Sequence, residues 1–204
     1  MVRVKICGIT NLDDAVASAR YGADGIGFIF YKKSARYIEP DKAREIIAHL
    51  SPFLTTFAVV VNEEKKIVRE IIAHTGVNII QLHGDESPEF CNEFSERAVK
   101  AIRIRNKESL NIMDGFHVRG FLLDTFRKGG YGGTGEIFDW DIAIEAKRFG
   151  DIILSGGLTI DNIREAIAKV RPYGVDVSSS VESNIGKKDH KILREFIERA
   201  KGVK

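Results

Sequence analysis

Short apolar runs alternate with amphipathic segments of helical spacing along the whole chain, and this alternation restricts the fold more than any other feature. The apolar runs begin near Val2, Asp24, Leu54, Asn78, Val99, Gly120, Asp151 and Gly174. Segments in which apolar residues recur every three or four positions cover residues 11–20, 40–50, 63–74, 87–97, 139–149, 160–170 and 189–201, with a weaker one around residue 111. This pattern predicts an α/β fold in which helices cover both faces of a parallel sheet.

Eight β–α units in 204 residues leave about 25 residues for each unit, which favours a compact (β/α)8 TIM barrel. An open doubly wound sheet is the alternative. No linker or low-complexity stretch interrupts the pattern, so residues 1–204 are predicted to form a single barrel domain.

The composition excludes several classes of protein. The formal net charge is only +2, which gives no electrostatic reason to expect binding to nucleic acid or to an anionic membrane. No apolar run approaches the roughly 18 residues that a membrane span requires. Two cysteines cannot form a disulfide framework, and no signal peptide is visible before the first strand-like run. We therefore expect a cytoplasmic globular protein.

Two segments rich in glycine or serine indicate a phosphate site. In β/α barrels the functional site lies at the carboxyl ends of the strands, and the loops after strands seven and eight frequently bind phosphate. Ser155-Gly156-Gly157 follows the seventh apolar run and precedes a helical segment, and Ser178-Ser179-Ser180 follows the eighth. Freed backbone N–H groups near a helix N-terminus would hold an anion. The alternative is a pair of tight turns without a ligand.

A possible acid and a possible base also stand at strand ends. Cys7 closes the first apolar run and could act as a base or nucleophile if nearby positive charge lowers its pKa. Asp124 closes the sixth run, where a carboxylate is either structural or catalytic. An acid and a base without a metal suggest proton shuttling, as in an isomerisation. No histidine has the spacing of a metal ligand, so no metal or cofactor is expected.

Charged residues near the same end have alternative roles. Arg36, after the second run, either binds a substrate carboxylate or phosphate or is a solvated loop arginine. Lys5 shares the strand parity of Cys7 and so is predicted to point into the barrel, with Asp176 as its counter-charge. Lys5 could instead form the Schiff base of an aldolase. His83 is the one histidine at a strand end.

A glycine-rich segment at residues 129–136 follows Asp124 after a short interval. Gly130, Gly132 and Gly135 match G-x-G-x-x-G, but the motif does not follow a strand directly and lacks the expected acidic residue. A lid over the site is the preferred interpretation, and an ordinary flexible surface loop is the alternative.

Motifs at the strand ends follow one another, in order and at barrel-loop spacing, over the whole chain: Lys5-Ile6-Cys7-Gly8-Ile9-Thr10, Gly27-Phe28-Ile29-Phe30, Ser34-Ala35-Arg36-Tyr37-Ile38, Gln81-Leu82-His83-Gly84, Leu123-Asp124, Tyr131-Gly132-Gly133-Thr134-Gly135, Leu154-Ser155-Gly156-Gly157-Leu158, Val175-Asp176-Val177-Ser178-Ser179, Val181-Glu182 and Gly186-Lys187-Lys188-Asp189. The set closely resembles the phosphoribosylanthranilate isomerase family of tryptophan biosynthesis. Two positions depart from that family's usual pattern: Ser180 replaces a glycine and Glu136 replaces a lysine.

The resemblance implies a cofactor-free barrel that carries out an Amadori rearrangement of N-(5-phosphoribosyl)anthranilate, the third step of tryptophan biosynthesis from chorismate. It implies that Asp124 is the general acid, that Cys7 is the general base and that Arg36 holds the anthranilate carboxylate. The phosphate would lie on Gly156, Gly157, Ser178, Ser179 and Ser180, and His83 and Asp176 would line the mouth. The implied partner is a small phosphoribosyl substrate, bound by a monomer or a homodimer.

Three other functions are weighed against this one. The related isomerase of histidine biosynthesis typically has an aspartate where Cys7 stands and two similar halves, and neither feature occurs here. A non-catalytic phosphosugar-binding barrel would not need both Cys7 and Asp124. A lysine-dependent aldolase would use Lys5.

Overall fold

Eight parallel strands pair in sequence order and close into a barrel, which confirms the predicted TIM barrel over the open sheet. The computed structural model describes residues 1–126 and 137–203. The strands, β1 to β8, are Arg3–Cys7, Gly25–Ile29, Thr55–Val60, Ile79–Leu82, Ala98–Ile104, Gly120–Thr125, Ile152–Leu154 and Gly174–Val177.

A helical segment follows each strand. The α-helices, α1 to α7, are Leu12–Arg20, Pro40–Ala48, Lys65–Thr75, Pro88–Asn92, Trp140–Ala146, Ile163–Val170 and His190–Lys201, and a 3₁₀ segment at Lys107–Gly115 follows β5. The predictions at residues 87–97 and 139–149 were too long, because each α-helix there gives way to a 3₁₀ turn. A 3₁₀ turn also places residues i and i+3 on one side, so apolar spacing does not separate the two.

Capping side chains define where several helices begin. Asn11 accepts a hydrogen bond from the backbone N–H of Asp14 at the start of α1. Asp189 accepts from the N–H groups of Lys191 and Ile192 at the start of α7. These local signals fix the points at which the chain leaves each loop.

Apolar side chains fill the space between the strands and the helices, and a smaller cluster fills the barrel itself. On β1, Val4 and Ile6 join the outer core, whereas Lys5 contacts residues of the interior. The inner cluster consists of Phe57, Val99, Ala101 and Leu122. None of the helices described in residues 1–126 and 137–203 is long and apolar enough to cross a membrane.

A small antiparallel hairpin after β8 was not predicted. Its strands are Glu182–Asn184 (β9) and Lys187–Lys188 (β10). Thr10 donates its hydroxyl hydrogen to the Gly186 carbonyl, and the Lys188 N–H donates to Asp14 Oδ2 over 2.8 Å. The hairpin is thereby fastened to the loop after β1, which brings Glu182 and Lys188 to the mouth of the barrel.

Candidate active site

All ten site residues predicted from the sequence line one pocket at the carboxyl ends of the barrel strands. They are Cys7, Arg36, His83, Asp124, Gly156, Gly157, Asp176, Ser178, Ser179 and Ser180. The barrel brings together residues from β1, β6 and β8 and from the loops after β2, β4, β7 and β8. The pocket therefore combines a thiol, two carboxylates, an imidazole, a guanidinium and two loops of small residues.

Cys7 lies at the end of β1 with only 5% of its surface exposed. Gly27 on β2 makes room for it, because a Cβ atom there would lie 2.9 Å from Cys7 Sγ and 3.2 Å from Lys5 Nζ. Burial raises the pKa of the Cys7 thiol, although the ammonium groups of Lys5 and Lys188 act in the opposite direction. The condition set out from the sequence, that nearby positive charge lowers this pKa, is not met in this structure, because burial outweighs the two ammonium groups.

Lys5 points into the barrel and pairs with Asp176, as predicted. Its Nζ donates to Asp176 Oδ1 over 2.6 Å, and Ser155 Oγ donates to Asp176 Oδ2 over 3.3 Å. Burial acts to lower the pKa of Lys5, but the charges of Asp176 and Cys7 outweigh it and raise that pKa. Since a Schiff base forms from a neutral amine, this environment argues against the aldolase alternative.

Asp124 on β6 is buried, accepts a backbone hydrogen bond and lies next to an imidazole. Its Oδ1 accepts the backbone N–H of Thr125 over 2.9 Å. Its Oδ2 lies 3.4 Å from Nε2 of His83, whose Nδ1 lies 2.8 Å from the side-chain amide of Gln81. His83 is therefore the immediate neighbour of the carboxylate that was predicted to be the acid, and Gln81 orients its ring.

Gly156 packs directly against this carboxylate. A Cβ atom at residue 156 would lie 2.4 Å from Thr125 Oγ1 and 3.1 Å from Asp124 Oδ1, and the residue has a φ of +80°. Both the close approach and the left-handed backbone require glycine. The loop after β7 thus helps to position Asp124.

The loops after β7 and β8 lie side by side. Ser180 Oγ donates to the Leu158 carbonyl, which links the two loops, and Ser180 does not have a positive φ. A serine therefore fits where related sequences usually have glycine. The Ser178 hydroxyl is buried and, within the part of the chain that the structure describes, has no hydrogen-bond partner.

The helix after β7 begins later than predicted. Asn162 Oδ1 accepts the Thr159 N–H over 2.9 Å, and Asn162 Nδ2 donates to the Gly157 carbonyl over 2.9 Å. These bonds form a turn, so α6 begins at Ile163 and its N-terminus is not adjacent to Gly156.

Arg36 makes an ion pair that was not predicted. Its Nε and Nη2 donate to the two carboxylate oxygens of Glu182 over 2.8 and 2.7 Å. Lys188 Nζ donates to Glu182 Oε1 and to the Ser178 carbonyl, each over 3.0 Å. Glu182 and Lys188 both stand in the quoted motifs, but their charge alone did not indicate a partner in another loop.

The glycine-rich segment that was predicted to form a lid, with Glu136, lies outside the described residues. Within residues 1–126 and 137–203, no group of three or more His, Cys, Asp or Glu side chains is arranged to hold a metal ion.

Comparison with known proteins identifies the family. The family described as N-(5′-phosphoribosyl)anthranilate isomerase matches residues 4–199. The chain belongs to this family. A relative with that name from Geobacter sulfurreducens is 49% identical over 202 residues, which cover 99% of this chain and 100% of the relative. The isomerase function predicted from the sequence, in tryptophan biosynthesis, is thereby confirmed.

Solved structures of the N-(5′-phosphoribosyl)anthranilate isomerase family have the same fold. The phosphoribosylanthranilate isomerase of Thermotoga maritima superposes with a TM-score of 0.91 at 45% identity, covering 100% of both chains. A second such structure, with a TM-score of 0.88 at 43% identity and 100% coverage of both chains, contains reduced 1-(o-carboxyphenylamino)-1-deoxyribulose 5-phosphate.

Proposed function

We propose that this pocket catalyses the Amadori rearrangement of N-(5′-phosphoribosyl)anthranilate, with Asp124 as the general acid and Cys7 as the general base. The observation that carries the proposal is the position of both groups, buried at strand ends in the same pocket. Each has a polar neighbour: Lys5 next to the thiol, and His83 next to the carboxylate.

The reaction needs two protons donated, to the ring oxygen and to C1′, and two removed, from C2′ and from the enol oxygen. Asp124 donates a proton to the ribose ring oxygen, the C1′–O bond breaks, and the nitrogen lone pair forms the C=N bond of an iminium ion. The Cys7 thiolate then removes the C2′ proton, and the electrons of that C–H bond form the C1′=C2′ bond of an enolamine. Protonation at C1′ and loss of the enol proton give the ketone, so substrate and product have the same atoms.

The raised pKa of Cys7 fits this order of events. In the free enzyme, burial favours the neutral thiol. The iminium ion places a positive charge next to it, and an opposite charge nearby favours the thiolate. The iminium ion therefore increases the fraction of thiolate at the stage when the C2′ proton is most acidic.

Charged and small residues at the mouth suit the two anionic ends of the substrate. We assign the anthranilate carboxylate to Arg36, whose guanidinium lines the pocket. We assign the phosphate to Gly156, Gly157 and the Ser178–Ser180 segment, where the unpartnered Ser178 hydroxyl supports an anion as its missing partner. Asp176 holds Lys5, and the His83 imidazole lies next to the carboxylate of the acid, with Nε2 3.4 Å from Asp124 Oδ2.

Steady-state turnover of freshly generated substrate, followed by loss of its fluorescence, tests the two roles. Cys7→Ser and Asp124→Asn should each lower kcat/KM by about 10²–10⁴-fold, the usual scale of general acid–base catalysis. Cys91→Ser, at the other buried cysteine, is the matched control and should keep its rate. Turnover that survives either change at the wild-type rate would remove that residue from the mechanism.

A pair of ligands tests the phosphate site. Reduced 1-(2-carboxyphenylamino)-1-deoxyribulose 5-phosphate should bind at least tenfold more tightly than the same compound without its phosphate. Equal affinities would contradict the assignment. A wild-type protein that binds the ligand without turnover would instead be a non-catalytic phosphosugar-binding barrel.

A further inference from the structure

Glu182 lies behind Arg36 and outside the pocket. Arg36 lines the pocket with a side chain that is 18% exposed, whereas the Glu182 side chain is only 5% exposed. The pair is bidentate and uses Nε and Nη2 of the guanidinium. The guanidinium is planar and has five N–H donors. Pairing through Nε and Nη2 therefore fixes the plane of the guanidinium and leaves Nη1 out of the pair with Glu182.

Lys188 holds Glu182 in turn. Its side chain is fully buried, and its ammonium donates to Glu182 Oε1 and to the Ser178 carbonyl. The Lys188 backbone N–H is anchored on Asp14. A buried carboxylate that is bound by two cations has no freedom to follow Arg36 if Arg36 moves. The contacts of Arg36 and Lys188 outweigh burial and lower the pKa of Glu182, so this carboxylate is charged.

Gly8 shapes the path of the Arg36 side chain from the other side. A Cβ atom at Gly8 would lie 2.7 Å from Arg36 Cδ, and the residue has a φ of +74°. The aliphatic part of Arg36 therefore runs over a position that has no side chain. The absence of a side chain at Gly8 leaves room for the aliphatic part of Arg36, and Glu182 holds the guanidinium.

We propose that Glu182, anchored by Lys188, is a positioning residue that orients Arg36 and so sets the preference of this enzyme for a substrate that carries an aromatic carboxylate. This inference rests on the proposed role of Arg36. An unpaired arginine at a pocket mouth would sample many rotamers, and binding a carboxylate would then have to restrict them. Orientation by Glu182 removes that cost before the substrate arrives.

The test compares two ligands that differ only in the carboxylate. The first is reduced 1-(2-carboxyphenylamino)-1-deoxyribulose 5-phosphate, and the second is the matching phenylamino compound. Dissociation constants are measured by calorimetry for wild type, Arg36→Met, Glu182→Gln, Glu182→Asp and a control, Glu195→Gln. Glu195 makes a half-buried pair with Arg199 on α7, so the control repeats the carboxylate-to-amide change away from the site.

Wild type and the control should prefer the carboxylated ligand, and Arg36→Met should abolish the preference. Glu182→Gln should lower the preference at least tenfold while it changes the affinity for the phenylamino ligand by less than about twofold, where tenfold corresponds to about 1.4 kcal/mol. Glu182→Asp keeps the charge next to Lys188 but shortens the side chain. It should give an intermediate loss, and it keeps the test valid if Glu182→Gln does not fold.

The remaining outcomes overturn the inference in distinguishable ways. If Arg36→Met keeps the preference, the proposed carboxylate site itself is wrong. If Arg36→Met loses the preference but both Glu182 variants keep it, only the inference fails. If the Glu182 variants weaken both ligands equally, Glu182 is a general structural residue and does not orient Arg36.

Discussion

The buried ion pair between Lys100 and Glu86 supports the loops next to His83, and its loss should destabilise the protein strongly. The two side chains are 3% and 2% exposed. Lys100 Nζ donates to Glu86 Oε2 over 2.8 Å and to the carbonyls of Gly84 and Leu82 over 2.7 and 3.2 Å. Glu86 Oε1 accepts the Asn62 N–H over 2.9 Å. One pair thus holds the loops after β3 and β4.

Lys100→Met leaves the Glu86 carboxylate buried with backbone N–H partners but without its cation. Removing one partner of a buried pair costs about 3–5 kcal/mol of unfolding free energy. For a domain of this size, each kcal/mol shifts the Tm by about 2–4 °C, so the Tm should fall by roughly 6–20 °C. Adding Glu86→Gln should restore part of the loss, because the amide removes the unpaired charge and still offers an oxygen to the backbone.

Urea unfolding followed by the fluorescence of Trp140, the one tryptophan of the chain, measures these free energies. The control is Lys66→Met, which breaks the exposed pair with Glu70 and should cost less than about 1 kcal/mol. A loss at Lys100 no larger than the control would refute the reasoning. So would a double variant less stable than Lys100→Met alone, since that would mean the unpaired carboxylate was not the cause.

Four further outcomes are expected. In a Cys91→Ser background, the rate of alkylation of Cys7 by iodoacetamide should reach half of its maximum above pH 9, because burial raises the pKa of this thiol; a half-maximum near pH 8.5, the usual pKa of a free thiol, would contradict this. Lys5→Met should slow alkylation at a given pH, because it removes a charge that favours the thiolate. Gly156→Ala should lower kcat more than tenfold in steady-state assays, because its Cβ would displace Thr125 and the neighbouring Asp124. An unchanged kcat would show that the loop after β7 moves to make room for the methyl group. Asn11→Ala should cost about 1 kcal/mol in urea unfolding through the lost cap of α1.

The barrel and the membership of its site could be predicted because both follow from local patterns. Uniformly apolar strands separated by amphipathic segments define the order of elements, and closure then gathers the strand ends at one mouth. The positions of the strand ends were enough to predict that Cys7, Asp124 and Asp176 lie in the pocket. The parity of β1 was enough to pair Lys5 with Asp176.

The environment of these residues could not be predicted in the same way. The partners Arg36 and Glu182 are 146 residues apart in the sequence, and they meet only because the β9–β10 hairpin is fastened to the loop after β1. The direction of the Cys7 pKa shift depends on burial competing with two lysines, and a sequence shows the lysines but not the burial. The contact between Gly156 and Asp124 likewise depends on the distance between two loops, which the sequence does not show.

The distribution of charge at the mouth explains how a nearly neutral chain can bind an anionic substrate. Lys5 and Asp176 cancel one another, whereas Arg36 and Lys188 share the single carboxylate of Glu182, so this cluster keeps one excess positive charge beside the pocket. In the proposed binding mode the substrate brings a carboxylate and a phosphate to that place, and low-dielectric walls strengthen the attraction. Burial lowers the pKa of Lys188, so this excess charge is lost at a lower pH than the charge of an ordinary lysine. The KM for substrate should therefore increase on the alkaline side even where the thiolate of Cys7 becomes more abundant, and a Lys188→Met variant should show a higher KM at neutral pH with a weaker alkaline increase.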